Sequence, residues 1–518
     1  MIARLWPAIH TVRSSLVTEE RERARPMRKP FWYRFYLDII LIIPTYYAFD
    51  QMIKRGSLAG LVKDTPEDLY RDPLLIIVPA LFILTVSLVT MRLFALFMRL
   101  VDLISGKIPW LTLHLALRQL GRQSLDYVQP MLLVIISLAM GVYTMSMAAS
   151  LDQWAVDRMY YRVGADFTFT PKPSNSTETI IDGSWIPLPS DFTQVKGVIG
   201  ATRVGDFGVR ITPSEGKEIR GHLLAIDRID FPSVAWFRSD FARESLGAMM
   251  NRLAFSDDGI LVPQEFLDEN SLRIGDPISM VVSIENLMSV VSDFTVVGTY
   301  DYFPDTYNES TMIIGNLDYI STLTGLTVAH DIWLKTDPNL DHTTLKNDIS
   351  RTLNITVVSE HDTKLLINQE QSRMERVGIF GTLTIGFLAT ALMAVLGLLI
   401  YSYASLQERA YRLAVLNAVG LSKEQIIAQV ILEYAFLALF GAIAGAIIGS
   451  TSSNLFVPFF KFTGEPGIPL PPLVPIIANS QIQSLSAIFG LTVVGIEVFT
   501  IGTILSRRLA QILKRVWI

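Results

Sequence analysis

Residues 426–450 form an apolar run in which Glu433 is the only charge. Crossing the hydrocarbon core of a bilayer takes about 20 predominantly apolar residues in an α-helix. Backbone groups have no water to bond there, so the crossing segment must satisfy them internally. The run therefore predicts a membrane helix. The stretch just before it is different in character. Glu408, Arg409, Arg412, Lys423 and Glu424 surround Leu406, Leu413, Leu416 and Val419, which recur near helical spacing as on an amphipathic surface helix. The pattern predicts a short charged helix running directly into an apolar one across 403–449.

The rest of the chain follows the same logic. Half of its 518 residues are hydrophobic and 18% are charged, which excludes an ordinary soluble enzyme. We read a polytopic α-helical membrane protein with about six spans, at 31–49, 75–98, 128–149, 377–402, 426–450 and 485–506. The first span carries Arg34 and Asp38 at i,i+4 and Pro44 inside, with aromatic residues at both ends that suit a membrane-interface belt. Residues 1–30 lack the continuous apolar core of a cleavable signal peptide, so a basic cytoplasmic arm is expected there.

Charge sets the expected orientation. Residues 151–375 hold 18 Lys and Arg against 33 Asp and Glu, out of 44 and 49 in the whole chain, so the middle is acidic and everything else is basic. Long domains translocate largely regardless of charge, and the short loops decide. Arg99, Lys107, Arg118 and Arg122 lie between spans two and three, and Arg409, Arg412 and Lys423 between four and five. Arg507, Arg508, Lys514 and Arg515 follow span six. These segments are expected inside and residues 151–375 outside. In that middle region, alternation or apolar runs predict strands at 165–171, 204–212, 259–262, 279–283, 293–299 and 354–358, and a helix at 340–353. Gly275-Asp276 is read as a turn.

Three segments carry a family resemblance. Gln407-Glu408-Arg409, then Leu413, Leu416, Gly420-Leu421-Ser422 and Gln425-Ile426, closely resembles the cytoplasmic segment of FtsX-like, MacB-type ABC-transporter permeases. Leu115-Ala116-Leu117-Arg118-Gln119-Leu120 followed by Arg122 resembles the opening motif of that family. The segment LDENSLRIGDPISMVV with DFTVVGTYDYFPD is similar to the MacB periplasmic core domain, which implies a mixed α+β extracytoplasmic domain.

The resemblance implies a division into a cytoplasmic arm (1–30), a two-span hairpin (31–108), an interfacial helix with the first span of the FtsX-like unit (109–150), the extracytoplasmic domain (151–375) and a three-span permease domain (376–518). It implies a coupling helix with Leu406, Glu408, Arg409, Arg412, Leu413, Leu416 and Gly420, docking on a separate ABC ATPase subunit in a bacterial cell membrane. The function implied is that of a permease subunit, in which ATP bound and hydrolysed by the partner drives export or extracytoplasmic handling of a substrate by mechanotransmission. The alternative is an FtsX-like signalling subunit that activates an extracytoplasmic cell-wall hydrolase. Fused relatives place a two-span hairpin between two four-span units, so the missing unit is expected as a second FtsX-like permease or a second copy of this chain, unless the chain is a remnant.

The chemistry expected in the chain itself is sparse. Gly106-Lys107 is followed by Ile108 and Gly216-Lys217 by Glu218, so neither is a GxxxxGK[ST] phosphate loop. GxSxG, HExxH and GxGxxG are absent too, and an enzyme with an exported catalytic domain is the least favoured class. No cofactor bound directly, no catalytic residue and no nucleic-acid partner are expected. With no cysteine, metal ligation falls to histidine, and His330-Asp331 and His342 near Asp341 are read as exposed loop residues before metal ligands. Glu433 is read either as serving helix packing or a link between coupling helix and bundle, or as a protonated or snorkelling surface carboxylate. Gly441, Gly445 and Gly449 recur at i,i+4, the spacing that lets a second helix backbone approach closely.

The lack of cysteine makes orientation directly testable. Single cysteines at Ser214 and Ser422 should react with a membrane-impermeant maleimide from opposite sides, Ser214→Cys in intact cells and Ser422→Cys only after lysis. Labelling of Ser422→Cys in intact cells would invert the topology.

Overall fold

The computed structural model describes residues 31–55, 73–105, 109–122, 124, 127–173, 183, 185–212, 218–284, 288–305, 311–372, 374–460, 471–477 and 479–516. They divide into two compact units. The first unit is Met1–Ala149, Phe380–Phe462 and Pro475–Ile518; the second is Ser150–Ile379 and Thr463–Val474.

The first unit is helical: α1 (Ile42–Arg55), α2 (Pro73–Ser105), α3 (Leu111–Arg122), α4 (Val128–Val163), α5 (Met374–Ala418), α6 (Lys423–Phe456) and α7 (Asn479–Val516). Helices α4 and α5 each run on across the division into the second unit. Among the described residues five helical stretches are long and apolar enough to cross a membrane: Ile77–Asp102, Val128–Val163, Thr384–Leu406, Lys423–Phe459 and Ile482–Gly502.

Segment 31–49, expected as a sixth span, is not among them. It is divided into Phe31–Arg34, Leu37–Ile40 and the start of α1, because Tyr36 adopts the left-handed conformation (φ 53°). The expected Arg34–Asp38 pair is also replaced. Asp38 is fully buried and accepts from Arg92 Nη2 on α2 at 2.8 Å. The Arg92 guanidinium lies 4.4 Å from the Tyr33 ring centroid and 4.7 Å from that of Tyr36. A charge at that depth is costly unless paired, and here two aromatic faces and a carboxylate surround it. The Thr45 and Thr85 hydroxyls, 3.0 Å apart, join α1 to α2 a second time. Phe49 and Phe82 then pack edge-on against buried Phe456 at the end of α6.

Val134, Leu138 and Val142 of α4, Ala394 and Leu398 of α5, Ala438 and Ala442 of α6, and Phe489 and Val493 of α7 form one apolar core. The glycine stripe faces α4 within it. A Cβ added at Gly441 would lie 2.9 Å from Val134 Cγ1, and one at Gly445 3.0 Å from the Ile135 carbonyl oxygen. At Gly449 it would lie 2.6 Å from the Ala139 carbonyl oxygen. Backbone cannot step aside as a side chain can, so these are the sites where α6 and α4 approach too closely for any larger residue.

The second unit is built on a nine-stranded sheet: β1 (Phe167–Pro173), β2 (Val198–Thr212), β3 (Ile219–Ile226), β4 (Gly259–Pro263), β5 (Pro277–Ile284), β6 (Met288–Tyr300), β7 (Thr311–Asn316), β8 (Asp331–Thr336) and β9 (Ile355–Asp362). The order is β3-β7-β4-β6-β5-β2-β8-β1-β9, and β3 also pairs with β2, so six strands close on themselves. Strand β2 makes both arrangements possible through its length: Val198–Val204 pairs with β8, and Val204–Ile211 with β3. Apolar side chains such as Phe207, Ile211, Val262, Met280 and Phe294 fill the closed part. A second core, around Phe167, Phe169, Leu334 and Ile349, lies where the helix His342–Leu353 covers the open strands. Strands β3, β7 and β8 were not foreseen, and Gly275, expected at a turn, has a left-handed backbone (φ 101°). Described residues 471–474 join this unit rather than the permease segment assigned to them from sequence: Trp154 Nε1 donates to the Pro471 carbonyl at 2.9 Å, and Arg238 Nη2 to that of Pro472 at 2.6 Å.

The glycine contact yields a direct expectation. Gly449→Leu should destabilise the helical unit by about 1–3 kcal/mol, the usual cost of overpacking a close-packed site. Gly490→Ala, whose added Cβ would sit 3.9 Å from Ala442 Cβ, should be tolerated. Thermal unfolding in detergent separates the two, and equal midpoints would contradict the contact.

Candidate functional site

The short coupling helix expected from sequence is not a separate element. Residues 403–418 continue the preceding span as the last part of α5, a single helix of 45 residues. The chain reverses only after Ala418. Leu421 N–H donates to the Leu416 carbonyl at 3.2 Å and Gly420 N–H to that of Asn417 at 3.1 Å, with Gly420 at φ 117°. This is a glycine-terminated helix end, and glycine is required because a Cβ disfavours that backbone conformation. Asn417 Nδ2 also donates to the Leu421 carbonyl at 2.9 Å. Ser422 then caps α6: its hydroxyl accepts from Gln425 N–H at 3.2 Å and its own N–H donates to Gln425 Oε1 at 3.0 Å. The capping box satisfies two otherwise orphaned donors at the helix start. The Gly420-Leu421-Ser422 and Gln425-Ile426 pattern thus encodes a tight elbow between α5 and α6.

Behind the elbow lies a buried polar junction. Arg409 Nη1 donates to Glu433 Oε1 at 2.7 Å and to the Tyr127 hydroxyl at 2.6 Å. Its guanidinium stands 5.1 Å from the Tyr127 ring centroid. Glu433 and Tyr127 are buried, with 2% and 0% of their surface exposed. One cation therefore joins α5, α6 and the residue just before α4. The expectation for both charges changes accordingly: Glu433 is not a snorkelling surface carboxylate, and Arg409 is turned inward instead of presented for docking. Leu406 and Leu413 are buried beside the pair, and Leu416 is half-buried. The side chains of Glu408 and Arg412 lie outside the described residues.

What the elbow leaves exposed is different. Val419 is 76% exposed and Val415 46%, and Gly420, Lys423 and Glu424 are exposed beside them. A second buried carboxylate, Glu497 on α7, accepts from the Ser402 hydroxyl on α5 at 2.7 and 2.6 Å. Sequence reasoning did not assign it a partner.

In the second unit the two histidines weighed as metal ligands hold structural positions. His330 and His342, expected as exposed loop residues, are both buried. His342 Nδ1 lies 2.8 Å from Asp362 Oδ1 and its Nε2 2.9 Å from the Thr336 hydroxyl, so the ring ties β8 to β9. Burial pushes the Asp362 carboxyl up, yet the hydrogen bond to His342 and the N–H groups of Leu365 and Lys364 outweigh it and hold the carboxyl below the usual range. Burial lowers the His330 imidazole, whose Nδ1 lies 2.9 Å from the Val328 carbonyl oxygen. Among the described residues no group of three or more His, Cys, Asp or Glu is placed to hold a metal ion.

Residues 384–512 match the family model of the FtsX-like permease C-terminal domain. They hold most of α5 and α7, all of α6, and the elbow. The periplasmic region of MacB from Actinobacillus actinomycetemcomitans is a structural neighbour at 10% sequence identity and a TM-score of 0.28, covering 41% of this chain and 95% of that one. The extracellular domain of the noncanonic ABC-type transporter YknZ from Gram-positive bacteria is another, at 11% identity and a TM-score of 0.25, covering 37% of this chain and 100% of that one. A comparison with curated proteins gives no match.

Proposed function

We infer, from a chain that carries the FtsX-like permease C-terminal domain, that it is the membrane subunit of an ABC transporter and works by mechanotransmission. A separate ATPase docks on the elbow, and its ATP-driven closure moves the elbow against the membrane helices. The observation that carries this reading is the division of labour at 409–424. Val415, Val419, Lys423 and Glu424 are exposed at the reversal, while Arg409 is locked inward on Glu433 and Tyr127. Exposed apolar residues beside charges of both signs suit a protein partner, and a buried ion pair behind them resists deformation, because separating it strands a charge. Movement at the elbow is then passed to α6 and α4 together. The region 151–375 faces away from the cytoplasm, the second half of the permease comes from another FtsX-like subunit or a second copy of this chain, and ATP binds in the partner alone.

Co-purification with the cognate ATPase tests the docking surface. Val419→Asp combined with Lys423→Glu should reduce the recovered ATPase at least about tenfold, as loss of a buried apolar anchor and a charge contact would. Membrane insertion and thermal stability should stay unchanged, since neither side chain is buried. Full ATPase recovery with the double variant would contradict docking at the elbow.

A further inference from the structure

A cavity of about 320 Å³ lies within the helical unit, directly behind the elbow. Its walls are Leu406, Leu413 and Leu416 from α5 and Val430 from α6, and Arg409 and Glu433 line its polar side. Those two charges already neutralise each other at 2.7 Å, so the described lining residues offer no net charge to an ionic ligand. Gln429 lines it as well, with only 7% of its surface exposed, and its Oε1 has no hydrogen-bond partner among the described residues. A buried carbonyl without a donor is costly, and the cost is recovered when a donor arrives. The volume is at the lower end of ligand pockets, about 300–1,000 Å³, which suits one short hydrocarbon chain and not a two-chain lipid.

We propose that this cavity binds an uncharged, single-chain amphiphile whose hydroxyl or amide N–H donates to Gln429 Oε1 while its hydrocarbon body lies against Leu406, Leu413, Leu416 and Val430. The site does not depend on the ATPase reading, because it is built entirely from side chains of this chain. Its position has a consequence for that reading: an occupied cavity fills the space between the end of α5 and the start of α6, the two arms that meet at the elbow. Such an amphiphile has two sources, a single-chain glyceride from the bilayer or a soluble alcohol.

Photolabelling of the full chain in nanodiscs with a diazirine-bearing octanol, mapped by mass spectrometry, tests the proposal. Adducts are expected on Leu413, Leu416 and Val430. Gln429→Leu should lower their yield about fivefold, the effect of one lost hydrogen bond, and Leu416→Trp, which fills the space from a half-buried position, should lower it further. A thermal midpoint equal to that of the unaltered chain certifies the fold of each variant, and Gln429→Leu alone suffices if Leu416→Trp does not fold. Competition by 1-octanol is expected for a saturable site; stronger competition by monocaprylin than by 1-octanol at equal concentration assigns the bilayer glyceride, and weaker competition assigns the soluble alcohol. Adducts spread evenly over exposed apolar residues such as Leu388, Leu392, Ile488 and Leu491, or cavity adducts that Gln429→Leu leaves undiminished, would overturn the site.

Discussion

The ion pair of Arg409 with Glu433 fixes the junction of α5, α6 and the residue just before α4. A carboxylate buried within an apolar helix is tolerated only where something compensates it. Arg409 supplies that compensation from the neighbouring helix and spends a second contact on Tyr127. Because the cation comes from beyond the apolar part of α5, the helix has to continue past its span before the chain reverses. That requirement explains why α5 is one helix of 45 residues where a break and a separate surface helix were expected. The elbow is positioned by a buried charge, not by the amphipathic pattern around it.

Around this junction the helices are held by steric fit. The glycines of α6 bring its backbone against α4 over three successive contacts, and α6 receives the aromatic residues of α1 and α2 on Phe456. The leading hairpin is thereby integrated into the helical unit through packing and through its own buried pair, Arg92 with Asp38. Two buried cation–carboxylate pairs in one helical unit follow the same rule: each cation is also covered by tyrosine, whose ring face and hydroxyl or carbonyl take part of the charge.

The features legible in the sequence are those contained in a single element. The positions of five spans follow from runs of apolar residues, and the glycine stripe from i,i+4 spacing within α6, so both were readable in advance, although the helices run past the expected ends, Val128–Val163 against 128–149 and Lys423–Phe459 against 426–450. The Gly420-Leu421-Ser422 motif was noted only for its family resemblance; the reversal it encodes rests on local backbone preferences but was not assigned from them. Partners between elements were not readable. Arg409 and Glu433 are 24 positions apart on different helices, and Asp38 was matched to nearby Arg34 when its partner was Arg92. Nothing periodic marks such pairs. The left-handed Tyr36 that interrupts the first expected span carries no glycine or asparagine signal. Strands β3, β7 and β8 escaped notice because each buries consecutive residues, Leu223–Ile226, Met312–Asn316 and Ile332–Leu334, and so lacks the period-two alternation that marks β5 and β6. Burial of His330 and His342 depends on those strands and was hidden with them.

The central physical claim is that Arg409 and Glu433 act as one unit that holds the elbow to the bundle. A double-mutant cycle with Arg409→Gln, Glu433→Gln and both together, read by equilibrium unfolding of the purified protein, measures that coupling. Removing one partner of a buried pair typically costs about 3–5 kcal/mol because a charge is left stranded, whereas removing both avoids that penalty. The account predicts that the double variant is more stable than the sum of the single effects requires, by at least about 2 kcal/mol, well beyond the tolerance for independent sites. Additive effects of the two substitutions would contradict it.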